Sequence, residues 1–272
     1  MEHNAITSDL ALTKKPSATL PDPIDQEVLE EAARAGVLYG KRKSRTNPRM
    51  KQYIYTTRNG VEVFDFPQTL EYLEKALVFL KNAVAEQKQI LIVGSTPPAK
   101  QFVRELAEAH SYPYVVERWL GGTLTNYPTI SKRVGYYLGL KADRAAGKFD
   151  IYTKKERVAL DKNIEKMDRL FGGLEKLTSY PQVLIVINPQ FHAIAVREAN
   201  QRGVPVVALI SSDGNPDVIQ YPIPANDHAR NSIQWFLGHI KKAFKEGMIL
   251  RAQQQAEAEK AVASQEKARS DV

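Results

Sequence analysis

The chain has no cysteine among its 272 residues, which excludes disulfide frameworks, thiolate metal centres and cysteine nucleophiles. It has no apolar run near the roughly 18 residues that a membrane-crossing helix needs; the longest are short, such as Val183 to Ile187 and Val204 to Ile210. The leader MEHNAITSDLALTKKPSATLPDP contains no arginine and no apolar core of a secretion signal, so a cytosolic protein with a flexible segment over residues 1–25 is expected. The sequence also lacks the phosphate-binding patterns GxGxxG and GxxxxGK followed by Ser or Thr. In the turn GSTPPAKQ two prolines remove N–H groups that a phosphate cradle would use. The five histidines, His3, His110, His192, His228 and His239, form no HExxH or other tight metal spacing. No GxSxG elbow is present. No catalytic constellation assembles, so the expectation is a protein that is not an enzyme, with no cofactor and no metal.

What is present is an ordinary globular composition, 43% apolar and 25% charged, with a net charge of +7 that biases the chain toward polyanionic partners. Gln26 to Ala35 is a helix candidate stopped by Gly36. Tyr53 to Thr57 and Val61 to Phe66 read as strands joined by Arg58-Asn59-Gly60, a hairpin signal. Leu70, Leu73, Leu77, Leu80 and Val84 recur at helical spacing. Beyond Gln89, short apolar runs (Ile90–Val93, Tyr114–Val116, Val183–Ile187, Pro205–Ile210, Val218–Ile223) alternate with helices (about Pro98–Ala109, Ala193–Gln201 and Asp227–Phe244). Near-continuous apolar strands between helices imply an α/β, doubly wound, mainly parallel sheet of Rossmann or flavodoxin type.

Tyr127–Ala146 and Lys154–Leu177 read instead as two helices forming a hairpin that interrupts this sheet. Thr153 and Glu156 have capping-box spacing, and Leu160, Ile164, Met167 and Phe171 suit packing on a neighbouring helix. The expected organisation is a leader (1–25), an α/β domain (26–126 and 178–247), a helical hairpin (127–177) and a polar tail (248–272) that is a frayed helix or disordered.

Two stretches suggest a contact surface. KRKSRTNPRMK, residues 41–51, carries six cations and no acid and reads as a loop. ERWLGGTLTNYPTI, Glu117 to Ile130, sets a guanidinium and an indole beside paired glycines. RWLGGTLTN resembles the signature of the bacterial small-subunit ribosomal protein S-two family. NPRMKQYIYTTRNGVEVFDFPQT and INPQFHAIAVREANQRGVPVVALISSDGNPDVIQYPIPANDHARNSI are similar to further segments of that family in the same order. The resemblance covers nearly all of residues 28–247. It implies an α/β domain interrupted by a coiled-coil hairpin, no catalysis, and residence in the small ribosomal subunit. Its implied partners are small-subunit ribosomal RNA, neighbouring ribosomal proteins and the large multi-domain ribosomal protein S-one, with no membrane and no homo-oligomer.

On that reading the RNA-binding candidates are Lys41, Arg42, Lys43, Arg45, Arg49, Lys51, Arg58 and Arg118, with Arg133, Arg144 and Lys148 on the hairpin. They would meet backbone phosphates and replace condensed counterions. Trp119 is expected in the core rather than against a base. The chain departs from the family where Leu38-Tyr39-Gly40-Lys41 replaces HFGH and Thr96-Pro97-Pro98 replaces a lysine-bearing turn. Asn188 and Ser211 stand where many members have aspartates, which bears on any cation bound between those loops. The competing classes are an α/β enzyme acting on a nucleotide or phosphosugar, and a free adaptor whose hairpin binds a protein.

Overall fold

The computed structural model describes residues 23–270, with side chains over 28–257; the expected leader falls outside that range up to residue 22. Helix α1 (Pro23–Arg34) is followed by strand β1 (Tyr39–Arg42), two 3-10 turns (Lys43–Arg45 and Pro48–Tyr53), β2 (Ile54–Arg58) and β3 (Val61–Phe64). These strands form an antiparallel sheet of order β1-β3-β2. Asn59 and Gly60 take positive φ, 49° and 74°, the backbone that a tight β2–β3 turn requires and that Asn and Gly adopt at least cost.

The remaining elements are α2 (Phe66–Ala85), β4 (Ile90–Val93), α3 (Pro97–Ala109), β5 (Tyr114–Val115), α4 (Tyr127–Ala145), α5 (Lys154–Phe171), β6 (Val183–Ile187), α6 (Ala193–Gln201), β7 (Val206–Ile210), β8 (Tyr221–Pro224) and α7 (Arg230–Ser270). The five later strands form a parallel sheet in the order β5-β4-β6-β7-β8. Counted along the chain this is the flavodoxin-like doubly wound order, with its switch point between β4 and β6.

Alternate strand residues point to opposite faces, so the apolar runs divide into two cores. Ile90, Ile92, Ile185, Val207 and Leu209 pack with α1, α2, α3 and α7. Leu91, Val93, Leu184, Val186 and Ala208 pack with α4, α5, α6, with Met50 and Tyr53 of the second 3-10 turn and with Phe64 of β3. The doubly wound α/β architecture expected from the apolar runs is therefore present, and both faces of its sheet are covered.

Four local expectations change. Residues 41–51 are not one loop: Lys41 and Arg42 lie on β1, and two 3-10 turns follow, joined by the extended pair Thr46 and Asn47. β1 exists through pairing with β3, a non-local interaction that its own residues do not announce. The strand expected at Val218–Ile223 lies at Tyr221–Pro224, with a 3-10 turn at Pro216–Val218. Pro222 and Pro224 are tolerated there because β8 is the sheet edge.

The second hairpin helix ends at Phe171 rather than Leu177. The backbone tightens into a 3-10 turn at Gly172–Leu174, where a Cβ on Gly173 would sit 2.2 Å from the Tyr114 carbonyl oxygen. The last helix does not stop near Phe244 but continues to Ser270. Its Ala, Gln, Glu and Lys are strong helix formers extending a nucleus already anchored on α2 and α3.

Ile185 is fully buried on the central strand β6. Ile185→Ala is expected to cost about 2–5 kcal/mol and Ile185→Val about 0.5–1.5 kcal/mol, read from urea unfolding midpoints. An Ala variant as stable as the wild type would contradict this placement.

Candidate nucleic-acid interface

The antiparallel sheet converts the cationic stretch into a shaped surface. Arg42 on β1 and Arg58 on β2 both pair with Val61 of β3, so they flank it in one cross-strand row. Directly paired residues project to the same face of a sheet. The Lys43 N–H donates to the Gly60 carbonyl at 2.9 Å, fastening the first 3-10 turn to the hairpin. Beneath lies Glu62, buried, accepting from the hydroxyls of Thr46 (3.1 Å) and Thr57 (2.7 Å). Asn47 caps the second turn by accepting from the Arg49 N–H at 3.1 Å.

This sheet is tied to the carboxyl end of β7. The Lys41 N–H donates to Ser212 Oγ (2.8 Å) and the Asn47 N–H to the Ser212 carbonyl (2.8 Å).

The candidate cations fall into two sets. Lys41 turns inward: its ammonium is 2.5 Å from Asp213 Oδ2, and both side chains are more than four-fifths covered. It also faces Asp227, whose carboxyl burial pushes up to about 7 against the opposing pull of Lys41. Arg49 pairs with Asp217 at 2.6 Å and reaches Asn215 at 3.3 Å. On the hairpin, Arg144 pairs with Asp161 (3.1 Å) and Lys148 with Asp143 (2.6 Å). Arg42, Lys43, Arg45, Lys51, Arg58, Arg118 and Arg133 are exposed, and no acid of the described residues lies within ion-pair distance of them. The structure thus brings Arg42, Lys43, Arg45, Lys51 and Arg58 onto one sheet-and-turn unit, while Arg118 and Arg133 belong to the glycine loop and to α4.

The glycine loop is organised by a residue that the sequence did not single out. Glu198, on the buried face of α6, accepts from Trp119 Nε1 (3.1 Å) and the N–H groups of Gly122 (2.9 Å), Leu124 (3.0 Å) and Thr125 (3.2 Å), and from the Thr125 hydroxyl (3.2 Å). Gly122 has φ +91°, a conformation closed to most side chains that lets its N–H turn inward. Arg202, one turn further along, donates to the Thr125 carbonyl. Trp119 is accordingly partly buried against the second core, as expected, with its indole N–H committed inside the protein. The available signal was a lone glutamate among the apolar positions of IAVREAN, which periodicity alone does not separate from a solvated charge.

Loop geometry then fixes the hairpin. α4 starts immediately after the clasp, and the hydroxyl of Tyr137, fully buried, lies within hydrogen-bond distance of the carboxylates of Asp168 of α5 and of Glu175 (2.9 Å), with one proton to donate between them. Burial raises its hydroxyl pKa, and the two carboxylates raise it further. The expected capping pair is present at the start of α5: the Thr153 N–H donates to the Glu156 carboxylate at 2.9 Å.

At the sheet's switch point the crevice is filled by the protein's own His192, buried, whose Nε2 accepts from the Ser95 N–H at 3.2 Å. Burial pushes this imidazole down to about 4, so it is neutral. A side chain of the protein therefore stands where doubly wound enzymes place their ligands.

Burial alone would raise the Glu198 pKa, but the N–H groups of Gly122, Trp119, Leu124 and Thr125 outweigh it and hold the carboxyl below its ordinary value. Its contribution to stability is thus complete above the usual carboxylate range and is lost as pH falls through the folded-state value. Glu198→Ala leaves these donors unpaired and is expected to cost about 3 kcal/mol or more. Glu198→Gln is expected to cost less and to flatten the loss of stability as pH falls from the ordinary carboxylate range downward. Urea unfolding of the three proteins across that range checks both.

Comparison with known proteins bears on the same residues. The family model described as Ribosomal protein S2 matches residues 33–247. The chain is 40% identical over 223 residues to "Small ribosomal subunit protein uS2" of Roseiflexus sp. (strain RS-1), covering 82% of this chain and 85% of that protein. It is 40% identical over 233 residues to the protein of the same name from Corynebacterium urealyticum, covering 85% and 87%. With the Chlorobaculum tepidum protein of that name it shares 37% identity over 243 residues, covering 89% and 98%. The matched span includes β1, the Glu198 clasp, the hairpin and the whole parallel sheet, and on that extent the chain belongs to the ribosomal protein S2 family.

Proposed function

We propose that this protein is held on small-subunit ribosomal RNA chiefly by the unpaired cations of the antiparallel sheet and its turns, which meet backbone phosphates. As a member of its family the chain is a structural, non-enzymatic component of the small ribosomal subunit and takes part in translation. The observation that carries the finer reading is the sorting of charge. Lys41 and Arg49 are neutralised by Asp213 and Asp217, whereas Arg42, Lys43, Arg45, Lys51 and Arg58 remain exposed on one unit.

Cations with no internal acid retain their full field for phosphates and release condensed counterions on contact. Their partner is RNA recognised by shape and 2′-hydroxyls rather than by base sequence. Neighbouring small-subunit proteins, S-one among them, would dock on apolar side chains that remain exposed, such as Phe191, Ile194 and Val218.

The test is salt-dependent binding to small-subunit ribosomal RNA assembled with its core proteins. Changing Arg42, Lys43, Arg45 and Lys51 together to Ala is expected to weaken binding and lower the slope of log K against log salt by up to roughly 3–4. Lys41→Ala is expected to leave that slope unchanged while costing about 3 kcal/mol of folding stability, since it strands the largely covered carboxylate of Asp213. An unchanged slope in the quadruple variant would refute anchoring by this surface.

A further inference from the structure

Between the glycine loop and the hairpin lies an open groove of about 780 Å³, lined among others by Leu120, by Lys132, Arg133 and Tyr136 of α4, and by Lys166 and Met167 of α5. Its wall contains no acidic residue. Its inner side is apolar, where Ile130 and Phe171 are nearly buried, while Tyr136 at the rim is 60% exposed. Asn126 and Asn163 also line it. Asn126 accepts from the Thr129 hydroxyl at 2.8 Å, which leaves its amide N–H groups directed elsewhere.

Four other cations of the hairpin are neutralised within the protein. Lys141 pairs with Glu175, Arg144 with Asp161, Lys148 with Asp143 and Arg157 with Asp150, at 2.7, 3.1, 2.6 and 3.3 Å. Lys132, Arg133 and Lys166 have no acid of the described residues at ion-pair distance. Lys154 and Lys155 at the tip and Lys162 and Arg169 along α5 also lack an acid partner among the described residues; what sets the root apart is that its three unpaired cations surround the one flat exposed ring of that wall.

Resting on the RNA-binding reading above, we infer that this groove receives an unpaired nucleotide of the ribosomal RNA. Its base stacks on Tyr136 over the apolar wall, and the flanking phosphates meet Lys132, Arg133 and Lys166. The volume falls within the roughly 300–1,000 Å³ of ordinary ligand clefts. An aromatic ring beside a cationic track is the arrangement by which unstacked bases are held. The side-chain amides of Asn126 and Asn163 offer donors and acceptors to a base edge. A protein helix would fill the apolar wall equally well, but it would have to bring three carboxylates to the rim, which a phosphate backbone carries at every nucleotide.

The experiment uses small subunits lacking this protein, rebuilt with the full-length wild type, Tyr136→Ala or Arg133→Glu. Each is probed with base-modifying reagents and with hydroxyl radicals at the backbone. Tyr136 and Arg133 are exposed, so both variants should fold, and unfolding midpoints equal to wild type verify it. The wild type is expected to protect at least one unpaired base. Tyr136→Ala should restore that base's reactivity roughly 10-fold, the scale of one lost stacking contact, while backbone protection elsewhere persists. Arg133→Glu should weaken base and adjacent backbone protection together.

Footprints identical to wild type in both variants would overturn the groove proposal and leave the wider RNA reading standing. So would loss of a cross-link to a neighbouring ribosomal protein with every base protection intact. If the wild type protects no RNA at all, the wider reading falls and this proposal with it.

Discussion

The carboxylate of Glu198, buried on α6, gathers four N–H donors and a hydroxyl from residues 119–125, and the path of the chain into the hairpin follows from that gathering. A turn carrying so many inward-facing N–H groups cannot remain near the sheet unpaired, since each would cost the full desolvation penalty of an amide. One ionised acceptor satisfies them together, and the donors in turn keep it ionised. Because α4 begins two residues after Thr125, the exit direction of the hairpin is set at the same point. The groove at the hairpin root exists because the clasp holds Leu120 and Gly121 opposite α4 and α5.

A second constraint is the separation of positive charge into structural and available portions. Charged side chains brought under a sheet or against a strand end must be paired. Lys41, drawn in by its position on β1 beside Ser212 and Asp213, is used in this way. Its ammonium stands against two carboxyl-bearing loops at the end of the parallel sheet, so the structure spends there a cation that composition would assign to RNA. Arg42, the next residue, is exposed and has no acid of the described residues at ion-pair distance. The same division runs through the hairpin, where Lys141, Arg144, Lys148 and Arg157 are paired while Lys132, Arg133 and Lys166 around the groove are not.

Much of this architecture was legible in the residues. The apolar runs of β4, β6 and β7 are too short for helices and too continuous for a half-exposed sheet, which identifies a doubly covered parallel sheet. Asn59-Gly60, the Leu70–Val84 periodicity and Thr153-Glu156 each encode a local geometry that the backbone adopts. Family membership was legible too, through collinear motifs whose spacing survives loop variation. Less visible were β1, which needs β3 before it is a strand, and the tightening at Gly173, which depends on Tyr114 arriving from far along the chain.

Local propensity and hydrophobic period, acting over a few residues, determined the element types, the two-faced core and the excess of positive charge. Tertiary structure alone decided which charges cancel, because pairing is settled by distances between residues far apart in the chain: Lys41 with Asp213, Arg49 with Asp217, Trp119 and Gly122 with Glu198. Coulomb and hydrogen-bond energies fall off within a few ångströms and rise in low dielectric. A cation's role is therefore fixed by what the fold places beside it, which no count of lysines and arginines along the chain contains.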